Sequence, residues 1–85
     1  MYHVYFLSLN NKQIYTGMTT NLKRRVNEHN RGRVASTASR LPVDLIGYEA
    51  YRLKTDAMRR ERYLKTTEGK HLLRQQYRDI IDSVS

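Results

Sequence analysis

The alternation of apolar and polar positions predicts six elements in the order strand, strand, helix, strand, helix, helix. Tyr2 to Leu9 and Lys12 to Gly17 are short runs rich in β-branched and aromatic residues around Asn10-Asn11, so they predict a hairpin whose second strand ends at Gly17. Val43 to Tyr51 predicts a third strand, expected at the centre of the sheet because it is the most apolar.

The predicted helices follow capping and dipole signals. Asn21 is a credible N-cap for a helix to about Arg31, with Gly32 as its C-terminal stop. A second helix is predicted from Thr55, with Asp56 in its first turn, to about Lys65, and a third starts at Thr67 or Glu68. The segment from Arg33 to Pro42, between the first helix and the third strand, is predicted to be an exposed, mobile connection. The predicted fold is α/β (α+β), a small three-stranded, largely antiparallel sheet flanked by helices, in one domain over residues 1–85.

The length of the hairpin loop decides whether Tyr5 and Tyr15 share a face of the sheet. A two-residue loop at Asn10-Asn11 would put the two rings on opposite faces, because side chains alternate along a strand. A three-residue loop from Leu9 to Asn11, with Asn11 left-handed, sets Tyr5 directly across from Tyr15. We predict the odd loop, or a bulge with the same effect.

The charge balance narrows the partners. Sixteen Lys and Arg stand against eight Asp and Glu, a formal net charge of +8, which suits an anionic partner such as nucleic acid or a membrane surface. No apolar run approaches the roughly 18 residues of a membrane span and no signal-peptide core is present, so we expect a cytoplasmic or nucleoid-associated protein without a membrane partner. The lack of Cys excludes disulfides, thiolate zinc sites and thiol nucleophiles.

Two predicted helices carry charge on the side that should be buried. At about 100° per residue, Leu22 and Val26 define the apolar side of the first helix, and Arg25 and His29 fall on it. A structural salt bridge from Arg25 to a nearby carboxylate is an equally good explanation of its position.

Glu61 repeats this anomaly in the second helix. It shares a face with Ala57 and Leu64, and a carboxylate on a buried face is unfavourable unless it is paired or bound to a cation. An ion pair with Arg25 or Arg60 would account for Glu61 without any further function, and one bridge from Arg25 to Glu61 would account for both anomalies.

At these residues the chain resembles the GIY-YIG endonuclease superfamily, specifically small stand-alone members similar to the N-terminal nuclease module of the incision enzyme of bacterial excision repair. His3-Val4-Tyr5 is similar to the first motif, with His in place of Gly, and Tyr15-Thr16-Gly17 to the second. "TNLKRRVNEHN" resembles the next helix motif, with Arg25 and His29 at its functional positions, and "AMRRERYLK" resembles the helix that supplies the metal-binding Glu, here Glu61.

The resemblance implies a metal-dependent endonuclease that hydrolyses DNA phosphodiester bonds by in-line attack of water. It implies one Mg²⁺ or Mn²⁺ on Glu61 and waters, a Tyr as base (Tyr5 or Tyr15), charge neutralisation by Arg25, and a positioning or proton-shuttling role for His29. A free Tyr titrates near about 10, so the phenolate would need stabilisation by the metal site or by Arg25 and His29. The backbone of the nucleic acid, DNA in particular, would be held by Lys23, Arg24, Arg31, Arg33 and Arg40.

Two departures from the family pattern keep alternatives open. No Asn follows Glu61, where relatives often have one in the site, and Met18 stands where excision-repair relatives tend to have Lys. The first hypothesis is an endonuclease in DNA repair or processing, the second a catalytically weak or inactive nucleic-acid-binding module of the same fold, and the third an interaction protein whose charge serves solubility. A protein partner or a homodimer is left open.

Overall fold

A three-stranded antiparallel sheet with the strand order β2-β1-β3 is flanked by helices, which confirms the predicted fold class. The computed structural model describes residues 1–83. A short 3₁₀ helix, Ala38–Arg40, precedes the third strand. The other elements are β1 (Tyr2–Ser8), β2 (Ile14–Thr19), α1 (Leu22–Asn30), β3 (Asp44–Tyr51), α2 (Lys54–Leu64), α3 (Thr67–Gln76) and α4 (Arg78–Ser83).

The central strand is β1, and the prediction that the third strand is central is wrong. Helices cover both faces of β1, so Val4 and Phe6 are buried on one side and Tyr5 and Leu7 on the other. The third strand, β3, lies at an edge and leaves Tyr48 54% exposed. A strand that is buried on both faces needs a continuous apolar run, and β1 carries that run from Val4 to Leu7.

The two faces of the sheet meet different helices, and we name them accordingly. The α1 face carries Tyr5 and Leu7, which belong to a cluster with Leu22 and Val26 of α1. The α2 face carries Val4 and Phe6, which pack with Ala57 and Leu64 of α2 and Leu73 of α3. Side chains alternate along each strand, so neighbouring residues of β1 serve different cores.

The hairpin has the predicted odd loop, displaced by one residue. Leu9 N–H bonds the Gln13 carbonyl at 2.9 Å, and Lys12 N–H bonds the Leu9 carbonyl at 2.9 Å, so the loop is Asn10 to Lys12. Lys12, and not Asn11, adopts the left-handed conformation with φ 67°. This shift moves the pairing by two residues: Tyr5 pairs with Gly17, and Tyr15 pairs with Leu7.

The segment from Arg33 to Pro42 is anchored to the protein at two points. Val34 is 8% exposed and Thr37 is completely buried, so the prediction of an exposed connection is wrong at these residues. The Arg33 N–H bonds the Glu28 carbonyl at 3.0 Å, which ties the segment to the end of α1. Small and hydroxyl residues gave no apolar periodicity from which this burial could be predicted.

Both predicted ends of the first helix are confirmed, whereas the last helix is divided. The Asn21 side chain accepts a hydrogen bond from Arg24 N–H, and Gly32 has φ 72° after the helix. The predicted third helix breaks at Tyr77 into α3 and α4. No helix within residues 1–83 has the length and apolarity needed to cross a bilayer.

Candidate functional site

Tyr5 forms the centre of a polar cluster on the α1 face. Its hydroxyl lies 2.8 Å from Nε2 of His29, which is buried near the C-terminal end of α1. The Tyr5 ring also lies against Gly17, where an added Cβ would sit 2.5 Å from the Tyr5 oxygen. Gly17 lies inside β2 and not at its end as predicted. Its lack of a side chain leaves room for the Tyr5 ring.

Tyr15 joins the cluster from β2. Its ring centroid lies 6.2 Å from that of Tyr5 and 5.0 Å from that of His29. The prediction that the two tyrosines share a face is confirmed, although they do not stand directly opposite each other. Tyr15 is half-buried, whereas Tyr5 is only 1% exposed. Of the two phenols, Tyr15 is thus the one nearer to solvent.

His29 has a second polar neighbour that the sequence did not reveal. Thr37, in the anchored segment after α1, places its Oγ1 2.7 Å from His29 Nδ1, and both side chains are fully buried. The sequence pattern contains no signal for this contact, because Thr37 stands in a run of small and hydroxyl residues with no periodicity. The contact occupies the second ring nitrogen of His29.

Arg25 lies at the edge of this cluster and is only partly buried. Its side chain is 37% exposed and contacts Glu28 Oε1 at 3.2 Å through a single nitrogen. The alternative that Arg25 forms a structural salt bridge is therefore confirmed. Its partner is Glu28, one turn along α1, and not Glu61. A part-exposed pair of this kind contributes at most about 1 kcal/mol, so it leaves the guanidinium able to engage another anion.

Burial sets the protonation of the cluster. It raises the pKa of Tyr5 to about 12, an effect that the nearby Arg25 guanidinium opposes and Tyr15 increases. Burial and the charge of Arg25 lower the pKa of His29, with Glu28 acting in the opposite direction. Hydrogen bonding to Tyr5 raises the pKa of Arg25 despite some burial. At neutral pH the phenol of Tyr5 is therefore protonated, His29 is uncharged, and Arg25 supplies a fixed positive charge.

Glu61 lies on α2, and the structure does not bring it into contact with this cluster. Its side chain is 22% exposed, and its Oε2 is 3.2 Å from Nζ of Lys65. Within residues 1–83 no hydrogen bond or ion pair joins Glu61 to the tyrosines, His29 or Arg25. The proposed pairing with Arg25 is wrong, because Arg25 contacts Glu28.

The alternative pairing of Glu61 with Arg60 is wrong as well. Arg60 instead holds Glu49 of β3 with two hydrogen bonds, Nε to Oε1 at 3.0 Å and Nη2 to Oε2 at 3.2 Å, while Tyr51 donates to Oε1 at 2.6 Å. Burial opposes ionisation of Glu49, but the bonds from Arg60 and Tyr51 outweigh it and lower its pKa. Sequence reasoning missed this ion pair because the strand pattern around Glu49 contains no signal for a partner on the second helix.

The surroundings of Glu61 fit a divalent cation. Glu61 is as little exposed as Glu49, yet it accepts no hydrogen bond within the described residues, and its one ion pair is with a Lys that is 53% exposed. An exposed partner of this kind is easily displaced. Residues 1–83 contain no group of three or more His, Asp or Glu side chains placed to hold a metal. Mg²⁺ commonly keeps several waters and takes one or two carboxylates, so Glu61 alone suits it.

The predicted nucleic-acid contacts divide into two locations. Lys23, Arg24, Arg31 and Arg33 line one surface groove along α1 and the turn that follows it, together with Asn21, Asn27 and Glu28. Glu28 is also the partner of Arg25, so it links this groove on the outer side of α1 to the edge of the cluster. Arg40 is separate, since its Nη1 donates to Gln13 Oε1 at 3.1 Å near the hairpin loop.

This fold and cluster define the class of protein. Residues 1–77 match the family model described as the GIY-YIG catalytic domain, and the chain belongs to this family, as its motifs predicted. The domain is of nuclease type and implies nucleic-acid binding, and GIY-YIG nucleases generally depend on a divalent metal.

Several relatives resemble the chain over most of its length. The UPF0213 protein HQ_3675A of Haloquadratum walsbyi is 38% identical over 82 residues, covering 93% of this chain and 92% of the relative. The UPF0213 protein SAG0778 of Streptococcus agalactiae is 45% identical over 64 residues, covering 74% and 73%. The solution NMR structure of the UPF0213 protein BH0048 from Bacillus halodurans matches with a TM-score of 0.57 at 32% identity, covering 89% of this chain and 85% of that one. None of these names specifies a reaction.

Proposed function

We propose that this protein is a Mg²⁺- or Mn²⁺-dependent endonuclease that hydrolyses DNA phosphodiester bonds, with residues 1–85 acting as one nuclease domain. The observation that carries the proposal is the convergence of Tyr5, Tyr15, His29 and Arg25 on the α1 face. A basic groove runs along the outer side of the same helix and includes Glu28, the partner of Arg25. In a domain of nuclease type, a fixed cation and neutral proton-carrying groups, with further basic side chains on the same helix, suit phosphodiester hydrolysis. We place its activity in the cytoplasm, associated with the nucleoid, in DNA repair or processing.

Arg25 meets the charge of the scissile phosphate in this proposal. The pKa of its guanidinium is raised, so it stays charged, and its ion pair with Glu28 uses only Nη1 and leaves other donors available. A preorganised donor of this kind is more effective in a partly dehydrated site than in water, because the local dielectric is low. The groove residues Lys23, Arg24, Arg31 and Arg33 hold the neighbouring phosphates, and Arg40 contacts the backbone farther away.

The proposal divides the two tyrosines by their exposure. Tyr15 is half-buried and can approach an attacking water, so it serves as the base. Tyr5 is buried, and its pKa of about 12 keeps it protonated, so it serves as a positioning group between Tyr15 and His29. His29 is uncharged near neutral pH and holds the Tyr5 hydroxyl in place.

Glu61 is the residue proposed to hold the metal. Its carboxylate is partly buried, and its one ion pair within residues 1–83 is with the half-exposed Lys65, a partner that a bound cation would replace. When bound, Mg²⁺ or Mn²⁺ supplies Lewis-acid stabilisation of the phosphate oxygens and lowers the pKa of coordinated water.

A second candidate function is a nucleic-acid-binding module without cleavage. The separation of Glu61 from the Tyr5 cluster, on helices that pack against opposite faces of the sheet, favours it. In that case affinity for DNA would still fall steeply with salt, because the basic groove alone supplies it.

The deciding experiment compares nicking of plasmid, branched and single-stranded DNA with Mg²⁺ or Mn²⁺ by wild type, Glu61→Ala and Glu68→Ala. Glu68 is an exposed carboxylate in the first turn of α3 and is the matched control. We expect Glu61→Ala to lose cleavage by about 100-fold or more while it retains its fold and its DNA affinity, and Glu68→Ala to cleave as wild type does. Equal cleavage by all three proteins would disprove the role of Glu61. Salt-sensitive binding without cleavage by wild type would establish the binding module.

A further inference from the structure

The Thr37 hydroxyl is the one hydrogen-bond partner of His29 Nδ1 within the described residues, at 2.7 Å. Thr37 lies eight residues beyond His29, in the anchored segment and outside α1, and it is fully buried. No motif of the sequence marks it. Because a hydroxyl can donate or accept, the direction of this one hydrogen bond decides which ring nitrogen of His29 carries the proton.

The alternative acceptor for the Thr37 proton is already occupied. The Val34 carbonyl lies 3.4 Å from Thr37 Oγ1, beyond the usual range of an O–H···O bond. The same carbonyl accepts from Thr37 N–H at 3.1 Å and from Ala38 N–H at 3.0 Å, which uses both of its lone pairs. The hydroxyl proton of Thr37 therefore has its better acceptor in His29 Nδ1.

We propose that Thr37 is a positioning residue that donates its hydroxyl proton to Nδ1 and so fixes His29 with its proton on Nε2. In a neutral imidazole one nitrogen accepts and the other donates. His29 then donates from Nε2 to the Tyr5 oxygen and does not receive the Tyr5 proton. The catalytic consequence rests on the proposed nuclease function, whereas the direction of the hydrogen bonds does not.

This direction assigns a role to each member of the cluster. The Tyr5 oxygen accepts a hydrogen bond from His29, so the hydroxyl proton of Tyr5 is free to be donated toward Tyr15. When Tyr15 releases its proton to solvent, the negative charge on its oxygen is stabilised by the buried Tyr5 donor, and that oxygen can take a proton from the attacking water. His29 is not a proton acceptor in these steps. The charged or titratable groups that face His29 are Tyr5, Tyr15, Arg25 and Glu28, and their combined effect with burial favours the uncharged ring that the proposal requires.

The test is ¹⁵N–¹H NMR of the His29 ring above neutral pH in wild type, Thr37→Val and Thr37→Ser. Val keeps the shape of Thr without the hydroxyl, and Ser keeps the hydroxyl. We expect wild type to show a proton on Nε2 and an unprotonated Nδ1 whose resonance is displaced by an accepted hydrogen bond. That displacement should vanish in Thr37→Val and remain in Thr37→Ser, and the exposed His71 should not change in either variant.

Two NMR outcomes would overturn the proposal. A proton on Nδ1 in wild type would reverse the chain of hydrogen bonds, and an unchanged Nδ1 resonance in Thr37→Val would show that the hydroxyl does not act on the ring. Cleavage is a separate measurement: we expect a loss of about 10- to 100-fold in Thr37→Val and recovery in Thr37→Ser, by analogy with the loss seen when a partner that orients a metal-ligating His is removed. If wild type does not cleave DNA, the nuclease function fails while the NMR result still decides the role of Thr37.

Discussion

The two faces of the sheet carry polar clusters of different character. On the α2 face, Glu49 receives two bonds from Arg60 and one from Tyr51, so both of its oxygens are used. On the α1 face, Tyr5 and His29 are uncharged in the resting protein, and Arg25 forms one ion pair within residues 1–83, with a partly exposed Glu28. The first arrangement uses most of the hydrogen-bonding capacity of Glu49. The second leaves guanidinium donors of Arg25 and a positive charge that Glu28 only partly neutralises.

This difference separates a structural ion pair from a candidate site. Both clusters perturb pKa values, because both are partly buried, so a perturbed pKa alone would not distinguish them. What distinguishes them is unused hydrogen-bonding capacity. By this measure Glu61, whose one ion pair within residues 1–83 is with an exposed Lys, resembles the candidate site although it lies on α2, in keeping with the proposed role of Glu61 as metal ligand.

The largest expected effect of a substitution on either face is a loss of cleavage at Arg25. We expect Arg25→Ala to lower the cleavage rate by about 100- to 1000-fold, because it removes a donor aimed at the phosphate. Arg60→Ala is the matched control. It should cleave normally when folded but lower the free energy of unfolding by about 1–3 kcal/mol, because it leaves Glu49 without its main donor.

Single-turnover cleavage and urea unfolding of both variants measure these two effects. Loss of cleavage in Arg60→Ala at full folding would break the proposed distinction between the faces.

A matched pair of glycines tests the same distinction through packing. A Cβ at Gly17 would collide with the Tyr5 ring on the α1 face, and a Cβ at Gly47 would collide with the Tyr77 ring on the α2 face. We expect each Ala substitution to lower the free energy of unfolding by about 1–3 kcal/mol, the usual effect of overpacking. Only Gly17→Ala should also reduce cleavage and disturb the Tyr5–His29 hydrogen bond, as read from the His29 ring resonances. Equal loss of cleavage in both variants would mean that packing alone, on either face, controls activity.

Acid should destabilise the two faces at different pH. The pKa of His29 is lowered from 6.5, so its share of the stability is complete above 6.5 and is lost as the pH falls from there through its folded value. The pKa of Glu49 is lowered from 4.5, so its share is lost only as the pH falls below 4.5.

Urea unfolding between neutral and acid pH separates these contributions. His29→Gln should flatten the dependence of the free energy of unfolding on pH just below 6.5, and Glu49→Gln should flatten it below 4.5. A single step that disappears in both variants would contradict the assignment of separate faces.

The smallest expected effect concerns the groove. Arg31→Ala should lower the slope of log affinity for duplex DNA against log salt by about 0.9, because one phosphate contact is lost, without affecting stability. Arg40→Ala is the comparison, since Arg40 bonds Gln13 outside the groove, and its slope should change less. Equal changes in slope for the two variants would mean that the DNA-binding surface extends to the hairpin loop.

The sequence by itself determined the fold class, the family and the residue types of the candidate site. Local signals were sufficient for this: Asn21 as a cap, Gly32 as a stop, and period-2 and period-3.6 patterns that predicted the elements in order. The sequence also predicted an odd number of residues in the hairpin loop. A loop that was one residue shorter or longer would have placed Tyr5 and Tyr15 on opposite faces of the sheet.

Only the tertiary structure decided which charges meet. It put β1 and not β3 at the centre, paired Arg60 with Glu49 across a helix and a strand, and brought Thr37 onto His29. These contacts join residues distant in sequence or outside any regular pattern. Periodicity gives the face on which a side chain lies, but the partner across that face depends on how the helices pack on the sheet.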